Sequence, residues 1–402
     1  MSKWIDKPLG DVTLYIAKGI PPKYTEELTE DTIYVLNQKC NRDFVISYES
    51  ARLHDLSKKK VAEEKMVQPG DVFINSTGAG TAGRVAQIWS VPYPTTTDGH
   101  VLLLRPISEI DPLYYGYAIK AHKVQIELLA EGSTGQTEIN KKRLKEEIII
   151  SFPEDKEEQH KIAKILANID NKIIINNAIN RNLSEQLKAI FIESFGEEIS
   201  NTKIGGGAAL GELIDVIDNR GKTPPLTTKT IEYPIIDVGA LRGDIRVVDF
   251  NNCTKFVDKD TYNNWFRSGH PIPWDVLLST VGSLAEMKIF LGQRGCIAQN
   301  VVALRSKGIS PLYLYQYLQY IRNDLVAYNI GSVQPSIKVT HIIKHPIFVP
   351  DDDRIKKFDE LARTITDQIY KLYCESENLR GIRDALLPKL MSGELDVSNL
   401  DI

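Results

Sequence analysis

DVFINSTGAGTAGRVAQI, residues 71–88, is the stretch on which the fold turns. Asp71–Asn75 reads as a strand, and it runs into Gly78-x-Gly80-x-x-Gly83. A strand leading into G-x-G-x-x-G is the fingerprint of a dinucleotide-binding turn. That fold needs a helix after the glycines, because the helix N-terminus holds the pyrophosphate. Here RVAQI follows, alternating and rich in β-branched and apolar residues, which suits a second strand. Strand, glycine turn and strand make a hairpin, in which the glycines supply positive φ and close approach.

Internal repetition supports the hairpin reading. PLGDVTLYIAKGIPPK (Pro8–Lys23) matches ALGELIDVIDNRGKTPP (Ala209–Pro225), and PGDVFINSTG (Pro69–Gly78) matches PWDVLLSTVG (Pro273–Gly282). VLLLRP (Val101–Pro106) pairs with VVALRS (Val301–Ser306), and DPLYYGYAIK with SPLYLYQYLQ. GSTGQTEI (Gly132–Ile139) pairs with GSVQPSIK (Gly331–Lys338), and ISFPEDKEEQHKI with IFVPDDDRIKKF. The blocks are collinear and the offset drifts slowly, from 201 (Gly10 to Gly211) through 204 (Asp71 to Asp275) to 197 (Pro153 to Pro350). The chain is two copies of one unit. In the second copy only Gly282 of the glycine pattern survives, and Leu284 and Met287 hold the other two positions. A phosphate-binding turn would not lose them.

With 402 residues the chain has room for two to four domains. It is 42% hydrophobic and 25% charged, an ordinary globular composition. There is no run of about 18 apolar residues, so no membrane helix is expected. The start, MSKWIDKPLGD, lacks the apolar stretch of a signal peptide. The four cysteines, Cys40, Cys253, Cys296 and Cys374, stand far apart with no C-x-x-C pair, which points to a reduced, cytoplasmic protein without a disulfide framework. The net charge of −4 is unevenly spread. Residues 1–150 carry 19 Lys and Arg against 20 Asp and Glu, and residues 151–200 carry 6 against 9. Residues 201–350 carry 16 against 12, and residues 351–402 carry 8 against 12. Neutral or basic segments thus alternate with acidic ones, and a neutral domain can still present a basic face to phosphate.

Each repeat divides into a globular part and a long helix: 1–152 with 153–200, and 201–349 with 350–402. The globular parts mix short strands, such as TIYVLNQ and HVLLLRP, with one Tyr-rich helix, DPLYYGYAIKAHKVQIELLAEG in the first and SPLYLYQYLQYIRNDLVAYNIG in the second. Those tyrosines suit amphipathic packing with hydroxyls at the rim better than base stacking. The long helices begin with Pro and acidic residues, which favour a helix N-terminus, and Gly196 suits the end of the first. Apolar residues recur at spacings of three and four, including Ile162, Ile165, Ile169, Ile173, Ile179, Leu183, Leu187 and Ile190. In the second helix they include Leu361, Ile365, Ile369, Leu372, Leu379, Ile382 and Leu386. This predicts a coiled-coil seam, with Asn176, Asn180 and Ser376 as polar residues that fix register. Helices of about 37 residues span roughly 55 Å. Paired antiparallel, they would hold two globular units one to one and a half duplex turns apart.

Catalytic motifs are missing. The sequence has no G-x-x-x-x-G-K-[ST] loop, no H-E-x-x-H and no G-x-S-x-G. His100 and His270 each sit beside a glycine and read as loop or core histidines. Asp71 and Asp275 match across the repeat, after a Pro turn, where turn chemistry explains them better than catalysis.

The GKTPP turn (Gly221–Pro225), the DVFINSTG and DVLLSTVG hairpins, FPEDKEEQHKIAKILANID (Phe152–Asp170) and LRGIRDALLPKLMSGELDV (Leu379–Val397) together resemble the specificity subunit of Type I restriction-modification systems, over essentially the whole chain. The resemblance implies an α+β fold: two pseudo-repeated target-recognition domains, each a mixed β-sheet with helices, separated by a pair of long antiparallel coiled-coil helices. It implies a non-catalytic subunit whose domains each read one half of a bipartite, asymmetric site in double-stranded DNA. The helices act as a ruler across the spacer and dock two modification subunits that methylate adenine N6. Restriction subunits join them. No cofactor is implied for this chain; S-adenosylmethionine, ATP and Mg belong to the partners. One departure is DDDRIKKF in the second copy, which lacks the Glu-Glu-Gln of KEEQHKI.

DNA-contacting candidates are Lys, Arg and Gln in turns, since phosphate contacts position and base contacts specify. In the first copy they are Lys58, Lys59, Lys60, Arg84, Gln136, Lys141, Lys142 and Arg143. In the second they are Arg220, Lys222, Arg242, Arg246, Arg267, Lys288, Gln334 and Lys338. Arg84 and Lys288 read as a matched pair after the glycine turn, and Gln136 and Gln334 as a matched pair in the GS loops, where stapling the loop is an equal alternative. A protein-binding coiled-coil scaffold without DNA readout is the competing class.

Overall fold

The computed structural model describes residues 3–400 except 43, 79, 132–136, 206, 222, 293, 398 and 399. Contacts divide it into two units: residues 1–172 with 378–402, and residues 173–377.

The glycine stretch forms an antiparallel hairpin. Val72–Asn75 pairs with Val85–Gln87, Val72 facing Gln87 and Ile74 facing Val85. In unit 2, Val276–Ser279 pairs with Met287–Ile289, Val276 facing Ile289. Each hairpin is half of a four-stranded sheet. In unit 1 the order is Thr13–Lys18, Val101–Pro106, Val72–Asn75, Val85–Gln87; in unit 2 it is Ile214–Ile217, Val301–Ser306, Val276–Ser279, Met287–Ile289. The central strand is buried on both faces, as its unbroken apolar run requires.

A second sheet differs between the units. Unit 1 has four strands in the order Thr95–Thr97, Thr32–Leu36, Arg52–Asp55, Tyr24–Thr25. Unit 2 has three, Phe256–Val257, Tyr233–Ile236 and Cys296–Ile297. The common part is a short parallel pairing, Thr95–Thr97 on Tyr34–Leu36 and Cys296–Ile297 on Ile235–Ile236.

A buried ion pair repeats with the core sheet. Asp71 accepts from Arg105 at 2.7 and 3.0 Å and from the Gln68 amide at 2.7 Å. Asp275 accepts from Arg305 at 3.1 and 2.8 Å and from the Ile272 amide at 2.9 Å. Both carboxylates therefore hold turns, as expected. Their arginine partners lie in the VLLLRP and VVALRS strands.

The Tyr-rich segment is two helices in each unit, not one. Pro112–Ala121 gives way to Lys123–Leu128 at His122, and Pro311–Tyr320 to Arg322–Ala327 at Ile321. The kink turns Ile126 and Leu325 into the cores. The tyrosines pack inward. The hydroxyls of Tyr114 and Tyr313 donate to the carbonyls of Ser151 and Phe348, at 2.6 and 2.9 Å.

The long helices run Lys156–Gly205 and Asp352–Met391. The first continues through Gly196, which was expected to end it. Phe195 and Ile199 are buried in the unit 2 core, and that packing outweighs the helix penalty of glycine. The pairing is antiparallel, because in unit 2 Asn176 meets Ser376 while Glu198 meets Arg354. Each unit's core includes one end of both helices: Ile162, Leu166, Leu387 and Leu390 in unit 1, and Leu187, Phe191, Phe195 and Phe358 in unit 2.

Of the seam residues, Ile162 and Leu372 are buried. Ile169, Leu183, Ile190, Ile365, Leu379 and Leu386 are half-buried at its margin, while Leu166, Ile173, Leu187, Ile369 and Leu387 take its centre. Ile179, Leu361 and Ile382 are exposed and fall outside it. Asn176, Asn180, Ser376 and, unforeseen, Thr366 form a buried polar stretch. Asn176 Nδ2 donates to Glu375 at 2.8 Å and to Ser376 at 3.3 Å, and neither side-chain atom of Asn180 has a hydrogen bond among the described residues.

Candidate nucleic-acid interface

At one end of the core sheet the chain builds a rim, and each unit uses the same backbone bonds. In unit 1 the Ser76 amide donates to the His100 carbonyl and the Ile139 amide to the Ser76 carbonyl, both at 2.8 Å. In unit 2 the Thr280 amide donates to Asn300 and the Ile337 amide to Thr280, again both at 2.8 Å. Three loops are thereby clamped together: the glycine turn, the turn entering the central strand, and the segment after the GS motif.

The unit 1 glycine turn is closed on itself. Thr81 and Ala82 donate backbone N–H to the Gly78 carbonyl at 3.0 Å, and Gly83 donates to Asn75 at 2.9 Å. Gly83 sits at φ 84°, and a Cβ there would press on the backbone of Glu127. Gln38 donates to both Thr77 oxygens, at 2.7 Å to the carbonyl and 2.6 Å to the hydroxyl, and that hydroxyl lies 2.8 Å from His100 Nδ1. Lys18 pairs with Glu138 across the same end. The GIPPK loop joins through His54, whose Nδ1 accepts from the Lys23 amide at 2.8 Å and whose Nε2 meets the Lys59 carbonyl at 2.7 Å.

In unit 2 the Gly282 amide donates to the Pro335 carbonyl at 2.9 Å, and Arg242 Nη2 donates to the Ser283 hydroxyl at 2.9 Å. Gln299 Nε2 donates to the Gly221 carbonyl at 2.8 Å and to the Thr223 hydroxyl at 3.2 Å, tying in the GKTPP loop. That loop is tied in turn to the segment carrying Arg267. Ser268 Oγ donates to the Asp218 carbonyl at 2.7 Å, and Asn219 Nδ2 to the Gly269 carbonyl at 2.9 Å.

The nominated residues fall into three groups. Arg242, Arg267, Gln334, Lys338, Lys141 and Lys142 are exposed, the first three on the loops just described. Lys58 and Lys60 are exposed, Lys59 is half-buried, and Lys58 pairs with Asp55 at 3.0 Å. A second group is engaged within the protein. Arg84 donates to the Gly80 carbonyl of its own turn at 3.3 Å, Arg143 pairs with Glu131 and Glu147 at 2.6 Å, and Arg220 pairs with Asp218. Gln136 and Lys222 lie outside the described residues.

Arg246 and Lys288 form the third group, and both are corrections. They are buried, so neither presents its charge at the surface. Lys288 Nζ donates to the carbonyls of Gly243 and Ile245, and burial pushes its pKa down to about 8. The Arg246 guanidinium lies 4.6 Å from the ring centre of Tyr315, and burial lowers its pKa. The matched pair Arg84 and Lys288 also fails on register. The Asn75 amide donates to Arg84 and the Ser279 amide to Glu286, so Glu286 stands where Arg84 stands. The second glycine turn is two residues shorter, which a fixed repeat spacing does not show.

His100 and Gln299 occupy this rim without having been nominated for DNA contact. The signal was available: His100 lies directly before the VLLLRP strand and Gln299 two residues before the matched VVALRS strand, in the same turn of each repeat. His270 is structural, stacked on Tyr262 at 3.8 Å. Gln159 of the Glu-Glu-Gln motif is also structural. It is buried, accepts from the Asp111 amide at 2.7 Å and donates to the Pro153 carbonyl at 2.9 Å. In unit 2 Ser310, the N-cap equivalent to Asp111, donates to Asp359, which does the work of the missing Gln. Among the described residues no cluster of His, Cys, Asp or Glu is arranged to hold a metal, and no helix is long and apolar enough to cross a membrane.

Residues 1–185 match the Type I restriction modification DNA specificity domain, so the first repeat is a lobe of that class. The chain is 22% identical to the putative type I restriction enzyme MjaX specificity subunit of Methanocaldococcus jannaschii, over 98% of this chain and 94% of that one. It is 22% identical to the MjaIX specificity subunit of the same organism, over 99% and 94%. Its fold matches the crystal structure of the Type-I restriction-modification system S subunit from M. genitalium with a TM-score of 0.53, at 18% identity over 97% of this chain and 96% of that one. Over nearly its whole length the chain is thus similar to specificity subunits of Type I restriction-modification systems, and residues 1–185 match the DNA specificity domain of that class.

Proposed function

We propose that the chain is the sequence-reading subunit of a Type I restriction-modification complex, each lobe binding one half of a bipartite, asymmetric duplex site through its rim. Two modification subunits dock on the paired helices, bring S-adenosylmethionine and methylate adenine N6 in each half. Restriction subunits, driven by ATP and Mg, cleave DNA that lacks the mark. The chain itself is non-catalytic and supplies position and sequence. The observation that carries this reading is the rim: one repeated backbone frame bearing different side chains in the two lobes. A duplicated reader that recognises two different half-sites needs that combination, because the scaffold must hold while the reading groups diverge.

Phosphate contact falls to the exposed cations on and beside these loops, including Lys60, Lys141, Lys142, Arg242, Arg267 and Lys338. Co-expression with the modification subunits, followed by genome-wide mapping of methylated adenines, tests the proposal. A split, asymmetric motif is the expected result. Competent modification subunits that yield no such motif would overturn it.

A further inference from the structure

We infer that the turn entering the central core strand determines specificity in each lobe, with His100 reading a base in the first half-site and Gln299 reading one in the second. The inference rests on the DNA-reading function proposed above. The two turns, Asp98-Gly99-His100 and Ala298-Gln299-Asn300, occupy the same place in the frame, because the carbonyls of His100 and Asn300 receive the equivalent bonds from Ser76 and Thr280. Both readers are exposed, and their backbones lead directly into the buried central strand of the lobe. A reading side chain needs that support to hold its geometry.

The hydrogen bonds around each side chain define what it offers a base. Thr77 Oγ accepts from Gln38 at 2.6 Å and lies 2.8 Å from His100 Nδ1. That contact occupies Nδ1, which leaves Nε2 as the free polar group of the imidazole, and with the Thr77 hydroxyl donating to Nδ1 it is Nε2–H that His100 offers as a donor. Gln299 spends both protons of Nε2 on the Gly221 carbonyl and the Thr223 hydroxyl. Its Oε1 is left as an acceptor. In the major groove a donor matches guanine N7 and O6, and an acceptor matches the exocyclic amino group of adenine or cytosine. The two lobes therefore present different polar groups from the same turn, His100 in the first and Gln299, one residue earlier in the frame, in the second, which is how a duplicated reader acquires an asymmetric site.

The test uses the full chain assembled with its modification subunits, selecting from a randomised duplex library. The parent complex should enrich a split motif. His100→Ala keeps the backbone bond from Ser76, and it should relax one base pair of one half by roughly tenfold while the other half is unchanged. His100→Gln should change which base is preferred at that position. Gln299→Ala should relax one base pair of the opposite half by a similar factor. If the parent enriches a motif and His100→Ala reproduces it at every position, the inference is wrong and the DNA-reading function stands. If the parent enriches no motif, the function proposed above falls and this inference with it.

Discussion

Asp170 in the first long helix is the residue whose removal has the most calculable consequence. Its carboxylate accepts from Lys120 at 2.9 Å, from Arg383 of the second long helix at 2.7 Å and from the Tyr117 hydroxyl at 2.8 Å. The side chains of Lys120, Asp170 and Arg383 are only 12–15% exposed. One anion is shared by two cations, so the two pKa shifts have different sources. Burial pushes Lys120 down to about 8, with Arg383 adding to the effect. Burial opposes ionisation of Asp170 as well, but Lys120 and Arg383 together outweigh it and hold the carboxyl below its ordinary 3.8. Asp170→Ala strips the buried Lys120 of its ion-pair partner and leaves Arg383 with only the exposed Asp384, at 2.8 Å, which costs about 3–5 kcal/mol. Hydrogen exchange over residues 112–128 of the full chain measures this locally, and protection should fall roughly 10²–10³-fold. A triple replacement with Lys120→Met, Asp170→Leu and Arg383→Met should recover most of the loss, because apolar side chains leave no charge to desolvate. The pH dependence follows from the lowered carboxyl. The Asp170 contribution is complete above the unfolded value of about 3.9 and is lost as pH falls through the lower folded value. A loss of protection below tenfold in Asp170→Ala would refute this account of the joint between the helix pair and the first lobe.

Three further outcomes are expected. Asn180→Leu should raise stability by about 1–3 kcal/mol, because it replaces a buried carboxamide that has no partner among the described residues; a lower thermal midpoint would contradict this. Gly19→Ala should lower stability by at least ~2 kcal/mol, since a Cβ would collide with the carbonyl of Thr97 while the Gly19 amide is held on Val101 at 3.1 Å; urea denaturation reads it, and a change under 0.5 kcal/mol would contradict it. Arg267→Ala in the assembled complex should reduce the salt slope of DNA binding by about 0.9 without altering the preferred sequence, and an unchanged slope would remove Arg267 from the phosphate contacts.

Much of the fold could be read from the chain because it is written twice. The hairpin reading of residues 71–88 depended on the second copy losing two glycines, which a phosphate turn could not tolerate. The antiparallel helix pair and its polar residues followed from three-and-four spacing; of the expected positions Ile173, Leu187 and Ile369 take the buried centre, with Leu166 and Leu387 beside them, while Leu183 and Leu386 lie at the margin. Long-range packing was not legible. Arg246 and Lys288 look like surface cations in a loop and a turn, and only the folding of residues 243–247 over the hairpin buries them. Gln159, in the Glu-Glu-Gln stretch that the second copy lacks, is an internal staple that the sequence does not reveal.

The same contrast separates what the two lobes share from what they use. Asp71 with Arg105 and Asp275 with Arg305 repeat almost atom for atom, as do the backbone bonds at Ser76 and Thr280. A buried ion pair is weak evidence for net stability, but removing either member strands the other, so such a pair persists once the surrounding turn has been built around it. Substitution is far cheaper at the rim, where surface changes cost little stability. His100, Gln299 and the loops around them stand on that permissive edge of an unforgiving frame. A change of reading there leaves the fold intact, and that freedom lets two copies of one module come to read two different sequences.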